Sequence, residues 1–270
     1  MLPRWAPWAA LAVVAVVIAG AVILKNRVAA TPSGRADPTV VADVTGVPAT
    51  TLDTVGVPAG VTAPTALPSG TPSIEADGKP LVLYVGAEYC PFCAAERWPV
   101  VVALSRFGTF SNLGQTESAG VPEAYPRTPT LSFHGASYTS PLVAFQGVET
   151  ATNQLGLSGY GPLDALTPEQ QQLFATYDVP PYVSSAHAIP FVLIGNRYVF
   201  NGSQFIPTVL RGLTAQQIAA SLKDPASEVA KAVDGSANLL TAAICNVTGG
   251  RPADVCTSPA VTAAAAKLPT

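Results

Sequence analysis

The sequence predicts an α/β domain with helical additions, preceded by one N-terminal transmembrane helix. Three observations lead there: an apolar β-rich run that ends at a Cys-Pro-Phe-Cys helix start, a later hairpin followed by a capped helix, and an uncharged stretch close to the N-terminus. The chain has 270 residues, 49% of them hydrophobic and 11% charged, with a formal net charge of -3. That balance excludes a disordered acidic tail and a basic nucleic-acid binder, and the length fits one domain with appendages. With 22 glycines and 26 prolines, turns and linkers occupy much of the remainder.

The elements follow in chain order. The first 35 residues carry Arg4, Lys25, Arg27 and Arg35 and no acid, so the leader is basic and the body acidic. Residues 8–24 are uncharged, and as a helix they reach about 26 Å, or about 30 Å from Trp5, which is just enough to span a bilayer. A buried core helix would show a polar stripe, and this segment has none. A cleaved signal could use the small residues at 28–30, although Lys25 and Arg27 intervene. The reading taken is an anchor over 1–27 with residues 5–24 in the membrane; its flanking charges do not fix the orientation. Residues 28–73 hold Pro32, Pro38, Pro48, Pro58, Pro64, Pro68 and Pro72 and read as an extended spacer, of which 47–56 could pack as a short helix or strand.

A buried strand is expected at 81–85, after the turn Asp77-Gly78-Lys79-Pro80. A helix begins at Pro91 and continues to Phe107, kinked at Pro99. Strand-like runs follow at 130–134 and 138–145, then a helix at 168–177 capped by Thr167. Next comes a hairpin, 191–194 and 197–200 around Gly195-Asn196. Thr214-Ala215-Gln216-Gln217 is a capping-box pattern opening another helix, and 226–245 reads as the last one. The catalytic-type domain is thus placed at 74–225, with a helical tail at 226–270.

The chemistry lies in Cys90-Pro91-Phe92-Cys93. A thiol must ionise before it attacks a disulfide, and a free cysteine, whose pKa is about 8.5, is mostly protonated at neutrality. At the N-cap of a helix opening at Pro91, the Cys90 sulfur faces unpaired amides and the positive dipole end, which stabilise the anion. Cys93 lies one turn deeper on the same face, placed to resolve a mixed disulfide. Cys90 is therefore the expected nucleophile and Cys93 the resolving thiol. A zinc half-site and an inert pair are the competing readings; zinc needs two more ligands, and the spacing of Cys245 and Cys256 is unusual for a structural site. No metal and no cofactor are assigned.

The run Tyr84-Val85-Gly86-Ala87-Glu88-Tyr89-Cys90-Pro91-Phe92-Cys93, the helical Pro99 and Ile189-Pro190 before a hairpin resemble the thioredoxin superfamily. More narrowly, GAEYCPFCAAERW followed by ALSRFGTFSNLG is similar to a membrane-anchored thioredoxin-like family, domain of unknown function 929. The resemblance spans roughly 75–258 and implies a thioredoxin-like fold with a helical insertion, but no substrate. It also implies a cis-proline facing the dithiol, whose backbone pairs with an incoming peptide. Pro190, with Ile189, fits that place best because it follows a helix and leads into the hairpin; Pro129 is the second candidate. Tyr84 stands where thioredoxins carry a buried acid, which puts reductase-type proton transfer in doubt. Glu88, Glu96 and His187 are nearby titratable groups, each read as an exposed side chain rather than a proton carrier.

Cys245 and Cys256 flank a Gly249-Gly250-Arg251-Pro252 turn and are expected to form a structural disulfide tying the tail to its helix. Such a bond implies an oxidising compartment, with the body outside the cytoplasm and the chain anchored in the cell membrane by a single pass. Asn201-Gly202-Ser203 and Asn246-Val247-Thr248 match the glycosylation pattern. The expected function is an envelope thiol-disulfide oxidoreductase that acts on protein thiols or disulfides and is recycled by a redox partner, with no nucleic acid involved. The alternative is a non-enzymatic module that holds a peptide or a cuprous ion in the same cleft.

Overall fold

The computed structural model describes residues 30–270, and its centre is the strand Lys79–Gly86. The last six residues of this strand are buried. Val82 and Tyr84 enter one apolar layer, while Leu81, Leu83 and Val85 enter the other. A strand covered on both faces needs no polar alternation, which is why this stretch reads as one apolar run.

The main sheet consists of β1 (Thr65–Ala66), β2 (Glu75–Ala76), β3 (Lys79–Gly86), β4 (Ala144–Glu149), β5 (Phe191–Ile194) and β6 (Tyr198–Asn201). β6, β5 and β3 are successive antiparallel neighbours, β1 adds to β6, and β2 folds back on the start of β3. β4 runs parallel to β3, pairing Leu81 with Ala144 and Gly86 with Glu149. Two parallel strands thus end side by side, and the cysteine motif follows directly from β3.

Among the described residues the α-helices are α1 (Pro38–Thr45), α2 (Ala49–Val55), α3 (Pro91–Ser105), α4 (Pro168–Tyr177), α5 (Ala215–Ser221), α6 (Glu228–Val247), α7 (Ala253–Cys256) and α8 (Pro259–Ala265). α4 and α5 both start with complete capping boxes, Thr167 with Gln170 and Thr214 with Gln217. Leu173, Phe174 and Tyr177 of α4 close the layer containing Leu81, Leu83 and Val85. α3 and α6 cover the opposite face. On α6 the buried Val229, Val233, Ala237, Leu240 and Ile244 form one helical stripe.

The structure corrects three expectations. Residues 38–45 are not part of an extended spacer: Pro38 opens α1, Asp37 caps it by accepting the Thr39 amide at 2.7 Å, and Val40 and Val44 lie in the core beside α3, while α2, which buries Leu52, falls within the stretch 47–56 expected to pack as a short helix or strand. Pro38 and Pro48 stand at helix starts, where a missing amide does no harm, so the proline-rich look misleads. The tail is likewise no appendage, since α6 is buried from Asp234 to Cys245. The run 138–145 breaks at Ser140-Pro141: Ser137–Thr139 pairs with Thr109–Ser111, and only Ala144–Glu149 joins the main sheet. The expected anchor at 1–27, with its span at 5–24, lies outside the described residues. Among those described, no helix is long and apolar enough to cross a membrane.

Candidate dithiol site

Cys90 is the N-cap of α3, with Pro91 as the first helical residue. Its sulfur accepts the Cys93 amide at 3.2 Å, and its thiol lies 3.6 Å from the Ile189 carbonyl oxygen, to which it can donate. The Ile189–Pro190 peptide bond is cis. The structure therefore brings Cys90, Cys93 and the Ile189-Pro190 segment together at the ends of β3 and β4. Cys90 is 5% exposed and Cys93 fully buried. The Cys93 thiol donates to the Cys90 sulfur, and together with the helix amides this holds the Cys90 thiol below its usual range; burial pushes the Cys93 thiol well up. One sulfur is thus prepared to ionise and the other to keep its proton, the division that attack and resolution require.

Aromatic rings frame the solvent side. Phe92 is 38% exposed and meets the edge of Tyr125 at 5.6 Å, and Tyr89 stacks on Tyr160 at 4.2 Å. The loop bearing Tyr125 is pinned by the Ala119 amide, which donates to the Tyr89 carbonyl at 2.9 Å. Pro129, the second candidate proline, belongs behind the helix: its carbonyl accepts the Trp98 indole N–H at 3.1 Å. His187 is exposed, with its ring 6.4 Å from that of Phe174. Its backbone amide donates to the Asp178 carbonyl, and the Asp178 carboxylate accepts from Asn201 Nδ2 at 2.6 Å. Asp178, pushed up to about 6 by burial, thus ties the segment leading into Ile189 to β6.

Glu88 and Glu96 are not exposed, contrary to expectation. Glu88 accepts the Ser132 hydroxyl at 2.6 Å; Glu96 accepts the Gln204 amide at 2.9 Å, and its other oxygen has no partner among the described residues. Burial pushes Glu96 up to about 8, so it is mostly protonated at neutral pH. Tyr84 donates to the Cys93 carbonyl at 3.4 Å. Beside it lies a fully buried ion pair absent from the expected site: Arg97 Nε and Nη2 donate to Glu149 Oε1 and Oε2 at 2.8 and 2.6 Å. Arg97 stands four residues after Cys93, on the same helix face, and that spacing could have singled it out. Glu149 arrives from 52 residues away, with no local signal.

Cys245 and Cys256 form a disulfide, while Cys90 and Cys93 are free thiols. The four sulfurs therefore cannot make one metal centre, and the described residues contain no group of three or more His, Cys, Asp or Glu that could hold a metal ion. Asn201 spends its amide on Asp178 and Ser185, and Asn246 bonds Tyr198. A family model described as a domain of unknown function (DUF929) matches residues 72–246. No curated protein and no solved structure matches the chain.

Proposed function

The chain belongs to the DUF929 family, and from its site geometry we propose that it is a thiol-disulfide oxidoreductase of thioredoxin-like architecture. One observation carries the reading: Cys90 Sγ takes the Cys93 amide at a helix N-cap while facing the carbonyl that precedes a cis-proline. The first contact gives the anion that attacks, and the second gives a backbone edge along which a substrate peptide can pair. The Cys90 thiolate attacks a substrate disulfide, one substrate sulfur leaves, and Cys93 then attacks Cys90 to release the second as a thiol. Two electrons pass from the dithiol to the substrate, and the reverse sequence oxidises a substrate dithiol. The Cys245–Cys256 disulfide supports a body outside the cytoplasm, and the uncharged run at residues 5–24 supports a membrane anchor. Protein thiols or disulfides are the proposed substrates, with a separate redox partner for recycling.

The test is an alkylation titration of the full chain in detergent across glutathione buffers. Cys90 and Cys93 should interconvert as one two-electron couple, with Cys245 and Cys256 unreactive until unfolding. Cys90→Ser should abolish exchange on a glutathione-peptide mixed disulfide, and Cys93→Ser should accumulate the trapped intermediate. Undiminished exchange by Cys90→Ser sinks the proposal; peptide binding without turnover by the unaltered chain supports the non-enzymatic module instead.

A further inference from the structure

We propose, resting on the exchange reading above, that Arg97 is the positioning residue that sets its direction: the buried guanidinium behind the dithiol favours the reduced pair and makes the protein a donor of disulfides. The geometry is specific. Glu149 lies on β4 directly opposite Gly86, so the carboxylate is fixed at the strand end, and the guanidinium reaches it from α3. Arg97 Nη2 also donates to the Ala87 carbonyl at 2.8 Å, the same oxygen that accepts the Cys90 amide at 3.2 Å. Arg97 Nη1 is buried and has no hydrogen-bond partner among the described residues. That donor is not consumed by the ion pair that holds the rest of the group. The guanidinium favours the thiolate at both sulfurs.

A buried positive charge acts strongly in a medium of low dielectric. It favours a thiolate but has no comparable effect on a neutral disulfide, so it stabilises the reduced form and makes the couple more oxidising. Of the other groups close to the dithiol, Tyr84 and Glu96 carry little charge at neutral pH. Tyr84 is held protonated by burial, Glu88 is bonded to Ser132, Tyr89 is stacked on Tyr160, and Glu96 is turned to Gln204. In the oxidising direction a substrate thiolate attacks Cys90 Sγ and the Cys90–Cys93 bond breaks, with Cys93 taking a proton. The second substrate thiolate then displaces Cys90, which leaves as a thiolate. The substrate loses two electrons and two protons; one proton stays on Cys93 and the other goes to solvent. A low-molecular-weight disulfide, oxidised glutathione in the assay, restores the bond.

The experiment measures the equilibrium constant with glutathione, and the pH midpoint of Cys90 alkylation, on the full chain in detergent. Arg97→Met combined with Glu149→Met leaves no lone buried charge. It should be at least tenfold less oxidising than the unaltered chain, about 30 mV for a two-electron couple. Its alkylation midpoint should rise by about one pH unit. Arg97→Lys, which keeps the charge, should stay near the unaltered value. Where the methionine pair does not melt cooperatively, Arg97→Gln with Glu149→Gln takes its place. A folded uncharged variant whose constant lies within about twofold of the unaltered chain overturns the role of Arg97. An unaltered chain with no reversible couple overturns the exchange reading beneath it, so the two failures are distinct.

Discussion

Glu96 and Asp234 are buried carboxyl groups with no ion-pair partner among the described residues. Glu96 on α3 has one amide partner and Asp234 on α6 has none among the described residues, and burial pushes both up to about 8. The sign of the consequence follows from linkage. At pH 3 the folded and unfolded chains both hold these protons. Above about pH 4 the unfolded chain releases them while the folded chain keeps them, so stability falls with rising pH until the folded groups ionise near 8. Each unit in that window is worth about 1.4 kcal/mol per group at most. Melting temperature should therefore decline between pH 5 and 8, and Glu96→Gln with Asp234→Asn should remove most of that slope. An unchanged slope in the double variant would mean that neither acid is buried in its neutral form. The stability carried by these groups is thus fully present in acid and lost in alkali, opposite to the usual carboxylate.

Elements built on local signals are the ones the sequence shows. Thr167 and Thr214 announce α4 and α5 through capping boxes, Pro91 announces α3, and the Gly195-Asn196 turn announces the β5–β6 hairpin. Cys90, Cys93 and Pro190 were legible for the same reason, as short motifs at element ends. The environment of the dithiol was not, because its parts come from separate elements: Arg97 from α3, Glu149 from β4, Asp178 from the end of α4. Glu88 and Glu96 look like surface charges because nothing in a sequence reveals that Ser132 and the Gln204 amide will meet them. The α6–α7 connection is a further local device, in which the Cys245–Cys256 disulfide closes a loop with a separation of 11 residues. Chain entropy assigns such a closure about 3 kcal/mol. Cys245→Ser with Cys256→Ser should lower unfolding free energy by about that amount in denaturant titration and leave Cys90 exchange intact. Loss of exchange in the folded variant would join the two cysteine pairs into one relay.

At the scale of the whole molecule, the family match begins at residue 72, yet the core does not. Val40, Val44 and Leu52 are buried among the side chains of α3 and α6. Asn238 donates both amide hydrogens to the Leu52 and Gly56 carbonyls, at 2.9 and 2.8 Å. Gln204, whose amide holds Glu96, donates its side chain to the Thr62 carbonyl at 2.8 Å, and the Ala260 amide donates to Asp53 at 3.1 Å. Cutting the chain before residue 74 would uncover an apolar face, leave the Asn238 amide buried or newly wet, and free the loop behind the dithiol helix. Truncating one buried aliphatic side chain costs about 2–5 kcal/mol, and a domain holds only about 5–15 kcal/mol in all. Residues 30–270 should accordingly melt in one cooperative transition, whereas 74–270 should show none and should bind hydrophobic dye. Leu52→Ala within 30–270 should lower stability by about 2–5 kcal/mol while the dithiol still titrates as one couple. If 74–270 melts within a few degrees of 30–270, α1 and α2 are surface additions and the core closes without them.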